Sequence, residues 1–176
     1  MLNFGGKNIG ELYYGGRKIG EAYLGDRLVY QSSLPVEVMP NDSSARDWLR
    51  GKLVEYGEHY ETVENLPFKL DTSQVTIMSQ MFRDCSSLTT VPDMDTSKVM
   101  DMSHMFRGCS SLTTVPDMDT SKVTRMTYMF LDCESLTDGN VRLLRATTSK
   151  PNSRSAMIQG SGLTREPFYL YDGTPF

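Results

Sequence analysis

Apolar positions in the middle of the chain recur in sets. Val75, Met78, Met81 and Phe82 are followed by Val99, Met102, Met105 and Phe106, and then by Val123, Met126, Met129 and Phe130. Each set has the i, i+3, i+6, i+7 spacing that predicts one buried face of a short helix. Thr96 or Ser97 is the expected N-cap of the middle copy and Gly108 its stop. Between the sets run Leu88-Thr89-Thr90-Val91-Pro92 and Leu112-Thr113-Thr114-Val115-Pro116. Their β-branched content and closing proline predict short strands.

The larger block holding these elements opens with Asp-Thr-Ser at Asp71, Asp95 and Asp119, at an interval of 24 residues that Cys85, Cys109 and Cys133 keep. A fixed period of this size predicts units that bury their apolar faces by stacking on one another, an α/β solenoid serving as a binding surface, not a catalyst. In the third copy Leu136-Thr137 leads into Asp138-Gly139-Asn140, and Val141, Leu143, Leu144 and Ala146 predict a closing helix. On the other side, Asn41-Asp42-Ser43-Ser44 offers caps for a helix from Ala45 to about Tyr56. Its apolar stripe is Ala45, Trp48, Leu49, Leu53 and Tyr56, and Gly57 ends it. These helices would cap the stack, with the lone Trp48 a core anchor.

A shorter pattern opens the chain. Ile9-Gly10-Glu11-Leu12-Tyr13-Tyr14-Gly15 returns ten residues later as Ile19-Gly20-Glu21-Ala22-Tyr23-Leu24-Gly25, and Asp26-Arg27-Leu28-Val29-Tyr30 is a truncated third copy. Short β-rich runs punctuated by Gly-Gly and Gly-Asp predict a β-meander over residues 2–31. Such a ribbon is too small to bury a core of its own, which marks it as an attachment or oligomerisation segment. Ile9, Tyr13, Tyr14, Ile19, Tyr23, Leu24 and Tyr30 are its expected assembly residues. The domain plan is therefore residues 1–31 for attachment, 32–41 as a linker carrying a short extended piece at Val36 and Val38, 42–146 as the capped stack, and 147–176 as a loop with an aromatic tail, Pro167-Phe168-Tyr169-Leu170-Tyr171 and Phe176.

Composition narrows the function. The chain is 39% hydrophobic with a formal charge of -4 and a pI near 5.2, and no segment clusters Lys and Arg as phosphate binding requires, so nucleic acid is not an expected partner. No run approaches the roughly 18 apolar residues of a membrane span, and no basic stretch followed by an apolar run suggests a secretory signal. Three cysteines at one repeat position suit buried thiols better than a disulfide framework.

The repeat methionines sit at core spacing, which favours packing over soft-metal binding. Asp93-Met94-Asp95-Thr96-Ser97 and Asp117-Met118-Asp119-Thr120-Ser121 lack the glycine and bidentate glutamate of a calcium loop, so turn and capping hydrogen bonds are expected. A cation neutralising an aligned Asp71, Asp95, Asp119 ladder is the better of two weak metal readings. His104 occupies a position that is Gln80 and Tyr128 in the other copies, a tolerance that argues against a His104–Cys109 dyad. No catalytic residue, cofactor or resident metal is expected, and the protein is read as non-enzymatic. The candidate binding surface is a hydroxyl-rich strand patch of Thr89, Thr90, Thr113 and Thr114 edged by Asp93 and Asp117.

Asp95-Thr96-Ser97-Lys98-Val99, Met102, Met105-Phe106 and Cys109-Ser110-Ser111-Leu112 resemble the BspA-like leucine-rich repeats of bacterial surface proteins and lipoproteins, over residues 63–140. That resemblance implies a leucine-rich-repeat α/β solenoid and commonly adhesion. The N-terminal Gly/Tyr repeat is similar to openings of phage structural proteins. Together the two imply a virion protein of tail, fibre or capsid decoration, made in the host cytoplasm. Residues 1–31 would dock it on other virion proteins as a homo-oligomer, and its repeat domain would be displayed to a host surface protein or glycan. The alternative is a bacterial surface adhesin or interaction module.

Overall fold

The computed structural model describes residues 12–14, 17–19, 21–24, 27–31, 34–41, 45–145, 151, 153–170 and 174–175. The chain divides into two compact units, Met1–Pro35 and Val36–Phe176. In the first, β1 (Leu12–Tyr14) pairs antiparallel with β2 (Arg17–Ile19), setting Leu12 opposite Ile19. Next, β3 (Glu21–Leu24) pairs antiparallel with β4 (Arg27–Gln31), with an irregularity between Ala22 and Tyr23. The expected single meander is thus replaced by two separate ribbons. Only Gly20 lies between β2 and β3, fewer than the two residues a tight hairpin connection needs. Tyr13, Tyr14, Ile19, Tyr23, Leu24 and Tyr30 fall on these strands, and Ile9 lies outside the described residues.

The second unit begins with β5 (Val36–Val38) and α1 (Ala45–Glu55). Ala45, Leu49 and Leu53 bury the predicted stripe, Trp48 and Tyr56 pack half-buried against the core, and Gly57 turns the chain with φ 79°. A positive φ costs glycine nothing, which is why the helix stops there. The end of α1 is tied to β5: the hydroxyl of Tyr56, the residue after the helix, donates to Glu37 at 2.6 Å, and Lys52 of α1 pairs with the same carboxylate at 3.0 Å.

Four more strands follow: β6 (Lys69–Asp71), β7 (Met118–Asp119), β8 (Leu143–Arg145) and β9 (Phe168–Leu170). They form two small parallel sheets, β5-β6 and β7-β8-β9. The α/β solenoid expected from the sequence is therefore corrected. Among the described residues α1 is the only helix, no repeat carries one, and no strand runs through 88–92 or 112–116. The expected closing helix is β8, with Ala146 outside the described residues, and Phe168 of the aromatic tail is buried in β9.

The Val, Met, Met, Phe, Cys and Leu positions of the three copies are all buried as predicted, but in a different backbone, and Val91 is only half-buried. The inward residues step by three because the chain makes successive i to i+3 turns. Val75 donates to Thr72 O, Met81 to Met78 O, Cys85 to Phe82 O and Leu88 to Cys85 O, at 2.9 to 3.3 Å. Gln80, Asp84, His104, Gly108, Tyr128 and Asp132 all have φ between 58° and 75°. One left-handed residue per few positions excludes an α-helix while preserving its three-residue spacing.

These turns lie in register on one another. Ile77, Asp101, Arg125 and Ser153 form a run of parallel bridges. Phe82, Phe106 and Phe130 stack with ring centroids 5.4 and 5.6 Å apart and planes within 2°. The buried threonines of the three Asp-Thr-Ser segments form a second ladder: Thr72, Thr96 and Thr120 donate from Oγ1 to the carbonyls of Asp95, Asp119 and Leu144 at 2.9, 2.9 and 3.1 Å. A hydroxyl buried without such an acceptor would cost the fold its desolvation, so this polar position is as restrictive as the apolar ones.

The segment expected to be a loop after the third copy supplies a fourth layer. Met126, Tyr128, Phe130 and Asp132 donate to the carbonyls of Ser153, Ser155, Met157 and Gln159, and Met157 and Leu163 are buried. Ala156 and Gly160 repeat the positive φ of Tyr128 and Asp132, 28 residues on.

Candidate functional site

The threonine patch is brought together, but not in a strand. Thr113 donates from both its amide (3.0 Å) and its Oγ1 (3.2 Å) to Thr89 O, which places one threonine pair over the other. The column is bracketed by asparagines that sequence reasoning passed over. Thr90 Oγ1 donates to Asn65 Oδ1 at 2.8 Å, Thr89 Oγ1 to Glu64 O at 3.1 Å, and Thr114 Oγ1 to Asn140 O at 3.2 Å. Asn140 Nδ2 closes the other end on Thr113 O at 3.2 Å. The hydroxyls are held across the layers in this way while Thr90, Thr113 and Thr114 remain exposed. Asn65 and Asn140 stand 25 residues before Thr90 and 26 after Thr114, which was the signal available in the sequence.

Asp93 and Asp117 are exposed. Asp117 pairs with Arg142 at 3.0 Å, and the Arg142 guanidinium lies 5.4 Å from the centroid of the Tyr169 ring. An acidic, a basic and an aromatic group thus succeed one another, Asp117 just before β7, Arg142 just before β8 and Tyr169 in β9. Arg142 and Tyr169 come from outside the segment the repeat pattern singled out, and nothing in the 24-residue period marks them.

The aspartates of the Asp-Thr-Ser segments make turns. Oδ1 of Asp71, Asp95 and Asp119 accepts from the amide of Ser73, Ser97 and Ser121 at 3.0, 3.0 and 2.9 Å. Bonds to Ser73 hold the Asp71 carboxyl below its usual range, its amide contributing most, and those to Ser97 do the same for Asp95, with the side-chain hydroxyl leading. The neighbouring aspartate in the ladder acts the other way and is outweighed. Among the described residues no group of three or more His, Cys, Asp or Glu side chains is placed to hold a metal ion.

The thiols and the histidine have separate environments. Cys109 and Cys133 are fully buried, and their Sγ atoms donate to Phe82 O and Phe106 O at 3.0 and 2.9 Å. Burial pushes the Cys85 and Cys133 thiols up to about 12 and Cys109 higher still. The His104 ring stacks on Tyr128 at 4.9 Å, and burial, then Arg107 and Arg83, push its pKa down.

A protein-family model described as "Mycoplasma protein of unknown function, DUF285" matches residues 55–166. Comparison with curated proteins and with solved structures found no match.

Proposed function

Because the chain belongs to the DUF285 family, we propose that it is a non-enzymatic adhesion or protein-contact module of the BspA-like surface-repeat kind. Its contact face is the threonine column with Asp93 and Asp117. One observation carries this reading. The layers commit the recurring apolar and thiol side chains to the interior, and they leave Thr90, Thr113, Thr114, Asp93 and Asp117 exposed at matching places on successive turns. Adjacent layers are joined by parallel main-chain bridges, which sets them about 4.8 Å apart. A rigid array of hydroxyls and carboxylates at that pitch can meet the polar groups of a glycan or protein surface without ordering side chains anew, which lowers the entropic cost of binding.

The test applies the labelled full chain to arrays of glycans and extracellular proteins, beside a Thr90→Glu/Thr114→Glu variant whose circular dichroism matches the parent. Saturable binding that the variant loses supports the reading. No saturable binding, or binding the variant retains, overturns it.

The second reading, a virion component docked through residues 1–31, rests on the ten-residue N-terminal repeat. Deletion of residues 1–31 would then abolish incorporation into particles, as judged by mass spectrometry. Continued incorporation rejects it.

A further inference from the structure

Hydrogen bonds between the layers run in one direction along the arc that carries the left-handed residues. Amides of Met78, Gln80, Phe82 and Asp84 donate to the carbonyls of Asp101, Ser103, Met105 and Arg107 at 2.7 to 3.0 Å. Those of Met102, His104, Phe106 and Gly108 donate to Arg125, Thr127, Met129 and Leu131 at 2.8 to 3.0 Å. Met126, Tyr128, Phe130 and Asp132 donate to Ser153, Ser155, Met157 and Gln159 at 2.6 to 3.0 Å. An ordinary strand edge alternates donors with acceptors, whereas along this arc each layer offers donors alone on one side and accepts on the other. Outside the arc the direction reverses, with Met100, Ser111 and Thr124 donating back to Thr76, Ser86 and Met100.

The two ends of this ladder differ. Over the first layer, the Tyr60 hydroxyl donates to Met81 O at 2.7 Å, and Arg46 of α1 reaches Asp84 at 3.4 Å. Arg46 and Arg50 lie 5.5 and 5.0 Å from the centroid of the Tyr60 ring. At the far end, the next donors in the series are the amides of Arg154, Ala156, Ile158 and Gly160, and no described residue accepts from them. The chain's own return pairs elsewhere on that layer, Leu170 donating to Thr174 O at 2.8 Å beside a Tyr169–Pro175 bridge.

We propose that the main-chain edge formed by Arg154, Ala156, Ile158 and Gly160 is a docking site for a polypeptide segment that carries this same kind of repeat and supplies the next row of carbonyls. The occupant follows from continuity with the interface that occurs three times within the chain, where each donor row meets carbonyls at every second residue. Like faces of two copies cannot satisfy each other, because both present donors. The first layer of a second copy lies beneath α1 and Tyr60, so head-to-tail stacking of whole molecules is blocked. Ile158 stands where Phe130 stands one layer before and is half-buried, so the occupant would also extend the phenyl column with an apolar side chain. Backbone pairing gives such a site its affinity, and the side-chain column its selectivity. This edge is distinct from the threonine face, and its fate does not depend on that assignment.

The experiment uses ¹⁵N-labelled full chain and a synthetic peptide of residues 119–142 as probe. In the free protein, the amides of Arg154, Ala156, Ile158 and Gly160 should exchange with solvent at least tenfold faster than those of Met102, His104 and Phe106. Adding the peptide should shift and protect those four amides and leave the inner rows unchanged. Four amides already protected in the free chain, or no response at millimolar peptide, would overturn the proposal. So would inorganic phosphate shifting the same amides while the peptide does not, since the edge would then be an anion site.

Discussion

Truncating the central phenyl ring measures how much of the stability resides between layers. Phe106 is fully buried and stacked on both faces, at 5.4 Å on Phe82 and 5.6 Å on Phe130, whereas each of those has one ring neighbour in the column. Phe→Ala in a core costs about 3–5 kcal/mol in lost transfer energy and residual cavity. A well-placed ring pair is worth about 0.5–1.5 kcal/mol beyond its buried area. Phe106→Ala should therefore lie at the upper end, near 5 kcal/mol, and Phe82→Ala and Phe130→Ala roughly 1 kcal/mol lower because each breaks one ring pair. Domains of this size are stable by about 5–15 kcal/mol, so the central variant is marginal but measurable. Urea unfolding followed by far-ultraviolet circular dichroism and by Trp48 fluorescence gives the values. A cost below about 2 kcal/mol for Phe106→Ala, or a larger cost at Phe82 or Phe130, would refute the stacked column.

Gly108→Ala forces an L-residue to φ 75° and sets its Cβ 2.8 Å from Asp84 Oδ1, so about 1–2 kcal/mol should be lost. Removing the carboxylate in an Asp84→Ala background should recover only the steric share. Thr96→Val keeps the shape of a buried position but deletes the 2.9 Å bond to Asp119 O. It should cost about 1–2 kcal/mol, with Thr96→Ser nearer wild type, as read by thermal unfolding. All three thiols should resist a thiol reagent at pH 8 in the native protein and react together in denaturant; rapid native labelling would contradict their burial. Because folding raises the thiol pKa values, to about 12 for Cys85 and Cys133, the unfolded chain loses its thiol protons first and stability should fall above about pH 9. On the acid side, folding lowers the pKa of His104, Asp71 and Asp95. Their contributions are present above the unfolded values and vanish as pH falls through the folded ones. Urea midpoints from pH 3 to 11 should trace that arch, and a profile flat at both ends would reject it.

What was legible from the sequence was the set of residues facing inward. Val99, Met102, Met105, Phe106 and Cys109 are all buried, as their spacing predicts. Their conformation was not legible, because a helix and a run of i to i+3 turns both return an apolar residue every three or four positions. The decisive residues were Gln80, His104 and Tyr128, which carry positive φ without being glycine. At Gly108 the correct clue was present but suggested a helix stop. The fourth layer stayed hidden because its interval is 28 residues and it replaces Phe130 with Ile158 and Cys133 with Ser161. The threonine column could be found because it keeps the period. Arg142 and Tyr169 could not, since they belong to layers where the period has lapsed.

That division has a consequence for where variation is tolerated. A side chain pointing inward touches the same position one layer before and one after, so a change in volume is felt twice, as at Phe106. Partly exposed positions are less constrained, and the copies diverge there: Arg83, Arg107 and Leu131 in one column, and Gln80, His104 and Tyr128 in another, where the His104 and Tyr128 rings still stack at 4.9 Å. The threonine column lies between these cases. Thr90, Thr113 and Thr114 are exposed, yet their hydroxyls tie adjoining segments together. Their sameness is therefore explained by the layer hydrogen bonds alone, and recognition has to be measured at charge-bearing substitutions such as Thr90→Glu/Thr114→Glu in a variant whose fold is shown to be intact. Stability loss without binding loss would assign the column to the scaffold; binding loss with stability kept would assign it to the contact face.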